Sequence, residues 1–192
     1  MSVNQVFEKL RSALDNANVP YLVTGSFVSS LHGIPRSTND IDVVIAPTRA
    51  QLLALVEQFP EADYYCEKED ALQALTHRSQ FNVIDQNSLW KIDFIVSRQR
   101  PFDVARFRRR AIVELAGVRV HAATPEDVLI AKLDWAKEGG SERQIEDAAG
   151  VVRVQGASLD VSYIEEWVEA LQLQDEWARA RAKAKPAQPP AY

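Results

Sequence analysis

Two spacings of apolar residues run along the chain, and each predicts one kind of element. Apolar residues three and four positions apart predict helices, and short continuous or alternating apolar runs predict strands. Strands are predicted over 21–24, 40–45, 64–66, 81–85 and 90–96, with a hairpin or bent strand pair over 113–120. Helices are predicted over 3–14, 27–31, 52–59 and 69–76, from 124, from 141 and over 158–173. Residues 175–184 extend the last helix or form another short one.

The composition describes an ordinary globular chain without a general preference for polyanions. Its 192 residues suit one domain, or one domain with a small appendage. Hydrophobic residues make up 46% and charged residues 26%, which is enough apolar material for a core. A net charge of −5 argues against a broadly basic surface for nucleic acid. Any site for a polyanion must therefore be local.

The cysteine content and the apolar runs favour the cytoplasm. The lone cysteine, Cys66, excludes an internal disulfide framework. It follows two tyrosines in a predicted strand, so we interpret it as a small core residue and not as a catalytic thiol. No apolar run approaches the length of a membrane span, and residues 1–5 lack the basic-then-apolar form of a signal peptide. Cytoplasmic residence is the expectation that follows.

The first polar motif lies where a predicted strand meets a predicted helix. Gly25 and Ser26 follow the strand 21–24 and open the helix. Glycine permits a close approach of the backbone, and the first N–H groups of a helix attract anions. Two interpretations stay open at this point, a phosphate-binding turn at Ser26 and a simple tight turn.

Two aspartates one residue apart, Asp40 and Asp42, begin the next predicted strand. Side chains alternate faces along a strand, so these carboxylates share one face and lie roughly 7 Å apart. They repel each other unless a cation lies between them. Mg²⁺ is the usual cation among carboxylates that leave room for waters and phosphates. The alternative is a polar strand edge with two solvated aspartates.

A third acid, Asp93, lies inside the otherwise apolar strand 90–96, on the same face as Lys91 and Ile95. Burying a carboxylate without a partner is costly, so Asp93 needs a cation or hydrogen bonds. Together with Asp40 and Asp42 it would complete a three-carboxylate metal site. The alternative is a strand-end aspartate in water.

The helix that begins at Thr124 carries a lysine in its apolar arc. At 100° per residue, Lys132 lies at the centre of that arc. It must either extend its ammonium group to solvent or point into a cavity with negative charge, and a suspected phosphate site favours the second. Further along, Arg143 and Asp147 lie four residues apart, as a surface ion pair or as part of a site.

One basic cluster stands out in this acidic chain, between residues 100 and 110. It either guides a polyanionic acceptor such as RNA or forms a solvated helix face. Its members are Arg100, Arg106, Arg108, Arg109 and Arg110.

Taken together, the motifs resemble the nucleotidyltransferase superfamily of polymerase-β type. Gly25-Ser26, Asp40-Ile41-Asp42 and Asp93 carry this resemblance. The sequence of residues 31–42, Leu-His-Gly-x-Pro-Arg-x-Thr-x-Asp-Ile-Asp, is similar to the corresponding motif of AbiEii-type toxins and related small nucleotidyltransferases. Residues 124–133 and the Arg143-x-x-x-Asp147 motif are similar to the C-terminal motifs of that branch. The likeness covers roughly residues 20–155.

The resemblance implies an α+β fold, with a mixed, mostly antiparallel sheet flanked by helices and a C-terminal helical portion. It implies a catalytic core over 1–123 and a helical region over 124–184 that completes the site. A Pro-rich tail over 185–192 is expected to be extended and mobile. The chain departs from the minimal nucleotidyltransferases that partner HEPN proteins, because Phe27-Val28 stand where those carry an arginine.

The resemblance also implies a reaction, the Mg²⁺-dependent transfer of NMP from an NTP such as ATP to a hydroxyl or phosphate acceptor. The resemblance leaves the acceptor open among a tRNA, a protein and a small molecule, and it includes a role as a toxin of a toxin–antitoxin or abortive-infection system with a cognate antitoxin. The alternative is a non-catalytic, nucleotidyltransferase-like binding or regulatory protein, such as an antitoxin-type partner. No membrane partner is expected.

The same resemblance assigns roles to individual residues. Asp40, Asp42 and Asp93 hold two Mg²⁺ ions, with Asp93 as a ligand or as the acceptor of the hydroxyl proton. Gly25 and Ser26 hold the β- and γ-phosphates, and Lys132 supplies positive charge to them. The remaining residues, Arg36, Thr38, Arg143 and Asp147, contact nucleotide or orient Lys132.

Overall fold

A computed structural model describes residues 2–185, so the predicted mobile tail lies outside the described residues except for Lys185. The chain folds into two compact units. The first unit comprises Met1–Phe27 and Ser37–Ala123, and the second comprises Val28–Arg36 and Thr124–Tyr192. Helix α2 (Gly25–His32) begins in the first unit and ends in the second.

The first unit is built on a seven-stranded mixed sheet with the order β3-β4-β5-β2-β1-β7-β6. The pairs β1–β2, β3–β4, β4–β5 and β6–β7 are antiparallel, and β1–β7 and β2–β5 are parallel. The predicted mixed, mostly antiparallel sheet is therefore confirmed. The strands are β1 (Tyr21–Thr24), β2 (Asp40–Ile45), β3 (Tyr64–Tyr65), β4 (Gln80–Asp85), β5 (Lys91–Val96), β6 (Ala111–Leu115) and β7 (Val118–Ala122).

The helices of the first unit begin where the sequence provides caps. Ser2 and Thr48 each form a capping box with a glutamine three residues later, which satisfies the first N–H groups of their helices. Pro101 opens α5, where its missing N–H is not needed. The helices are α1 (Val3–Asn16), α3 (Arg49–Val56), α4 (Lys68–His77) and α5 (Pro101–Arg109).

The core of the first unit is aromatic around β5. Phe94 is fully buried, and its ring stacks on Phe81 at 5.2 Å and approaches Phe59 at 6.1 Å. The apolar stripe of α1 is buried as its helical spacing predicts. Since Phe94 directly follows Asp93, the packing of this ring fixes which face of β5 presents the carboxylate.

The second unit is helical. Its further helices are α6 (Pro125–Gly139), α7 (Glu142–Gln155), α8 (Val161–Ala170) and α9 (Gln174–Ala184), with a short 3-10 helix at Gly156–Ser158. The chain turns between α8 and α9 at Gln172, whose φ is 57°, so the segment after residue 173 is a separate helix and not an extension. None of the helices in the described part of the chain is long and apolar enough to cross a membrane.

The aromatic core makes a stability prediction. Phe94→Ala removes a fully buried ring, so we expect the free energy of unfolding to fall by about 3–5 kcal/mol. Ile112→Ala, at a β6 position that is 55% exposed, is the control and should stay within about 0.5 kcal/mol of wild type. Urea denaturation measures both, and equal losses for the two variants would contradict this account of the core.

Candidate active site

Three of the predicted acids meet on neighbouring strands of the first unit. The parallel register of β2 and β5 pairs Asp42 with Asp93, and Asp40 with Lys91. Paired residues share a face, and neighbouring strands lie about 4.8 Å apart. The row continues to Thr24 on β1 and to Asn82 on β4. The sheet thus places the carboxylates predicted from the sequence side by side.

The three acids differ in exposure. Asp40 is exposed, Asp42 is half-buried, and Asp93 is only 7% exposed. Buried Oδ1 of Asp93 has no hydrogen-bond partner among the described residues, which leaves a full acceptor in a place that water reaches poorly. Asp93 is therefore the acid whose position needs a reason beyond packing.

The cation that Asp93 requires is supplied in part by its own strand. The ammonium group of Lys91 lies 2.8 Å from Oδ2 of Asp93. The hydrogen bond to Asp93 raises the pKa of Lys91 against the opposing effect of burial, and the charges of Asp93, Asp40 and Asp42 raise it further. Lys91 was not among the predicted site residues, although its place two positions before Asp93 on one strand face was a visible signal.

The donor set suits Mg²⁺ bound together with a phosphate ligand. Among residues 2–185, no group of three or more His, Cys, Asp or Glu side chains forms a ready-made metal cage. Mg²⁺ does not need one, because it commonly takes one or two carboxylates and completes its shell with waters and substrate phosphates. Asp42 and Asp93 are adjacent, and Asp93 has an unused oxygen. These residues fit the ion, and their role as ligands stays a prediction.

The turn between β1 and α2 passes directly over one of these acids. Gly25 has a φ of +70°, and a Cβ atom there would lie 1.8 Å from Oδ2 of Asp42. Only glycine combines this conformation with so close an approach. Ser26 follows at the first turn of α2, half-buried. The turn at Gly25-Ser26 thus lies against Asp42, and phosphate binding there stays a prediction.

In the second unit, Lys132 has a buried counter-ion. Lys132 is 4% exposed, and its ammonium lies 2.8 Å from Oδ2 of Asp147 on α7. Arg36 donates to both oxygens of the same carboxylate, at 2.9 and 3.0 Å. Two cations therefore share one acid. Because Lys132 lies in the apolar arc of its helix, the sequence predicts a negative charge near its ammonium group. Asp147 supplies that charge.

The packing of glycines brings Arg36 to α7. A Cβ atom on Gly33 would lie 2.8 Å from the backbone nitrogen of Val151, and one on Gly150 would lie 3.3 Å from that of Ile34. Gln155 donates to the carbonyl of His32 at 2.7 Å on the same stretch. The loop before Arg36 can therefore lie flat on the helix that carries Asp147.

These contacts set the ionisation of Asp147. Burial acts to raise its pKa, but the hydrogen bonds and charges of Arg36 and Lys132 outweigh it and hold the pKa below the ordinary 3.8. Asp147 is thus an anion at neutral pH. Arg143 is exposed and forms no ion pair within the described chain, because Asp147 pairs with Arg36 and Lys132 instead. Of the two alternatives for Arg143 and Asp147, the surface ion pair is not formed, and a role in the site stays a prediction.

Two further sequence interpretations concern Thr38 and Cys66. The Thr38 hydroxyl accepts from the backbone N–H of Asp40 at 3.2 Å and so holds the start of β2.

Burial, helped by Glu67 and Asp70, raises the pKa of Cys66 to about 11. A thiolate is therefore scarce at neutral pH, which agrees with a non-catalytic cysteine.

The basic cluster of α5 is largely occupied within the first unit. Arg106 is 7% exposed and lies 2.8 Å from the buried carboxylate of Asp103, which Arg100 also contacts at 3.1 Å. Arg110 lies over the ring of Phe107, with 4.8 Å between its guanidinium carbon and the ring centroid. Neither a fully solvated face nor an open basic track describes this segment.

Comparisons with solved structures identify the fold. Antibiotic-resistance factor ANT(2'')-Ia in solution has a TM-score of 0.59 and 16% identity, over 95% of this chain and 97% of that one. The crystal structure of ANT(2'')-Ia in complex with adenylyl-2''-tobramycin has a TM-score of 0.55 and 18% identity, over 88% of this chain and 96% of that one. An antigenic nucleotidyltransferase-like protein from Paracoccidioides brasiliensis has a TM-score of 0.56 and 18% identity, over 96% of this chain and 94% of that one. The chain has the polymerase-β-like nucleotidyltransferase fold.

The nucleotidyltransferase fold predicted from the sequence motifs is thereby confirmed, while the finer branch is not. No protein-family model matches the chain, and no curated protein matches it. The likeness to AbiEii-type toxins therefore stays a prediction from residues 31–42 and 124–147. In the nucleotidyltransferase fold, the adjacent acids of β2 and β5 remain the candidate catalytic group.

The turn at Gly25 can be tested by adding one methyl group. Gly25→Ala forces a left-handed conformation on alanine and drives its Cβ into Asp42, so we expect a loss of about 1–3 kcal/mol in the free energy of unfolding. Gly139→Ala is the matched control, because no atom lies within 4 Å of its added Cβ. Thermal or urea unfolding compares them, and a Gly25→Ala variant as stable as the control would contradict the close approach.

The buried ions of the second unit make an asymmetric prediction. Asp147→Asn leaves the buried Lys132 without its anion, so it should cost about 3–5 kcal/mol. Lys132→Met should cost less, because Asp147 keeps Arg36 and methionine fills the space. Urea denaturation at pH 7 measures both, and a larger loss for Lys132→Met would contradict the pairing.

The depressed pKa of Asp147 also sets a pH window. Its ionised form stabilises the fold fully above its unfolded-state pKa of about 4, and this stabilisation is lost as the pH falls through the lower folded-state pKa. The difference in unfolding free energy between wild type and Asp147→Asn should therefore be constant near neutral pH and shrink below pH 4. Urea denaturation across that range measures it, and a difference that grows in acid would contradict the sign.

Proposed function

We propose that the chain is a Mg²⁺-dependent nucleotidyltransferase that moves NMP from an NTP to a hydroxyl or phosphate acceptor. The observation that carries the proposal is the cross-strand pair of Asp42 and Asp93, with Asp40 two residues away and the Gly25 turn against Asp42. The fold supports the same interpretation, since its solved neighbours are named as nucleotidyltransferases or carry an adenylylated product.

The three acids have different roles in this proposal, because they differ in exposure. Asp40 and Asp42, exposed and half-buried, face the side from which an NTP enters and hold the ion that accompanies its triphosphate. Asp93 lies deepest and has an oxygen to spare, so it serves as a further ligand or receives the proton of the acceptor hydroxyl. Bound Mg²⁺ would stabilise the charge that builds up at the α-phosphate and on the leaving pyrophosphate.

The turn after β1 supplies the phosphate contacts. The first N–H groups of α2, at Gly25 and Ser26, attract an anion, and glycine lets the backbone come close. This turn holds the β- and γ-phosphates while Asp42 lies directly beside it. The predicted contacts of Lys132, Arg36, Thr38, Arg143 and Asp147 with nucleotide stay expectations from the family resemblance.

A non-catalytic, nucleotidyltransferase-like binding protein is the second candidate. The state of Asp93 favours the enzyme. A buried carboxylate oxygen without a hydrogen bond costs stability, and the ion pair with Lys91 occupies only the other oxygen of Asp93. A binding module has no need of that open oxygen, whereas an enzyme uses it for a metal ion or a proton.

Three classes of acceptor are candidates, namely a small molecule with hydroxyl groups, a tRNA and a protein. The likeness to AbiEii-type toxins adds a role for the chain as a toxin with a cognate antitoxin. Asp103 already pairs with both Arg100 and Arg106, which weakens the polyanion-guiding interpretation of this cluster. The adenylylated tobramycin bound by one solved neighbour makes aminoglycosides the first small molecules to test.

The proposal predicts label transfer. With Mg²⁺ and each α-labelled NTP in turn, the protein should label tobramycin-class aminoglycosides, tRNA, or one protein of a cell extract. The double variant Asp40→Asn, Asp42→Asn should lower the rate by at least about 10³-fold, since charge stabilisation of this kind contributes several kcal/mol.

The control removes the same charge elsewhere in the first unit. Asp63→Asn with Asp70→Asn changes two exposed carboxylates, and this variant should transfer label at the wild-type rate. If wild type labels no acceptor with any NTP beyond the level of the Asp40→Asn, Asp42→Asn variant, the enzyme proposal is overturned and the binding protein stands.

A further inference from the structure

Lys91 is a cation inside the candidate active site to which the fold and the sequence motifs give no function. It is the only basic residue in β2 and β5. Its ammonium lies 2.8 Å from Asp93, and its partner across the strands is Asp40. One third of its side-chain surface is exposed, so solvent reaches part of the side chain while its ammonium group contacts Asp93. A side chain that is not fully enclosed has room to move away from its partner with the strand intact.

The ammonium group and a metal ion compete for the same carboxylate. Oδ2 of Asp93 accepts from Lys91, and a divalent cation placed on the neighbouring oxygen would lie within a few ångströms of a positive charge. Like charges at that distance repel strongly where water screens poorly. An ammonium group held on Asp93 therefore weakens the binding of a free metal ion to these acids.

A triphosphate resolves this competition. It carries negative oxygens that an ammonium group binds as a point charge. Three carboxylates would otherwise repel a triphosphate, and a lysine that moves towards the phosphates reduces this repulsion while it uncovers Asp93.

We propose that Lys91 is a substrate-binding residue that exchanges partners, holding Asp93 in the NTP-free protein and a phosphate oxygen of the NTP in the loaded enzyme. This inference rests on the proposed function. It implies an order of binding, in which divalent ions bind tightly only with the nucleotide. Until substrate arrives, the lysine offsets the charge of Asp93.

The first arm of the test uses metal alone. MnCl₂ is titrated into the NTP-free protein, and free Mn²⁺ is counted by electron paramagnetic resonance. Lys91→Met should bind Mn²⁺ about fivefold or more tightly than wild type, because even a part-exposed charge pair contributes a factor of this size. Lys68→Met, at an exposed position of α4, removes the same charge and should match wild type.

The second arm measures nucleotide. With Mg²⁺ present, fluorescent analogues of the four NTPs are titrated into wild type, Lys91→Met and Lys91→Arg. Lys91→Met should weaken the binding of the preferred analogue about tenfold, whereas Lys91→Arg should keep most of it, because arginine retains the charge. Circular dichroism of each variant shows that it is folded.

The two arms separate this inference from the proposed function. Unchanged Mn²⁺ affinity in Lys91→Met, or unchanged nucleotide affinity, overturns the partner exchange even when wild type transfers label normally. If neither wild type nor Lys91→Met binds Mn²⁺ and wild type transfers no label, the proposed function and this inference both fail. Tighter Mn²⁺ together with weaker nucleotide supports the exchange.

Discussion

The parallel register between β2 and β5 is the constraint on which the candidate site depends. It pairs Asp42 with Asp93 and, one residue later, Val43 with Phe94. A slip by one residue would turn every side chain of a strand to the opposite face, bringing a carboxylate into the aromatic core. The stacking of Phe94 on Phe81 of β4 fixes the buried face of β5, and the fully buried Val43 opposite Phe94 fixes that of β2. The hydrophobic core therefore also fixes the positions of the acids.

The two units contain buried acids that are satisfied to different degrees. In the second unit, both oxygens of Asp147 are occupied by Lys132 and Arg36. In the first unit, Asp93 has Lys91 on one oxygen and no hydrogen-bond partner on the other within the described chain. A fully paired acid is explained by stability, while a half-paired acid keeps capacity for a ligand. This contrast is what supports the proposed role of Asp93.

Local sequence patterns predicted the elements and the acids, but not all of their partners. Alternation along β2 and β5 was enough to place each carboxylate on a face, because strand geometry is local. The pairing of Arg36 with Asp147, 111 residues apart, depends on how the loop at Gly33 packs on α7, which no local pattern contains. The arginines of α5 show the same limit, since the burial of Asp103 decides their role.

The central claim is that Asp42 and Asp93 share a divalent ion with a triphosphate. Anomalous diffraction from crystals grown with Mn²⁺ and a non-reactive NTP analogue tests it most directly. The account predicts an Mn²⁺ peak within coordination distance of both carboxylates and of phosphate oxygens, and loss of that peak in Asp93→Asn. An ordered triphosphate whose Mn²⁺ lies away from both acids would contradict it.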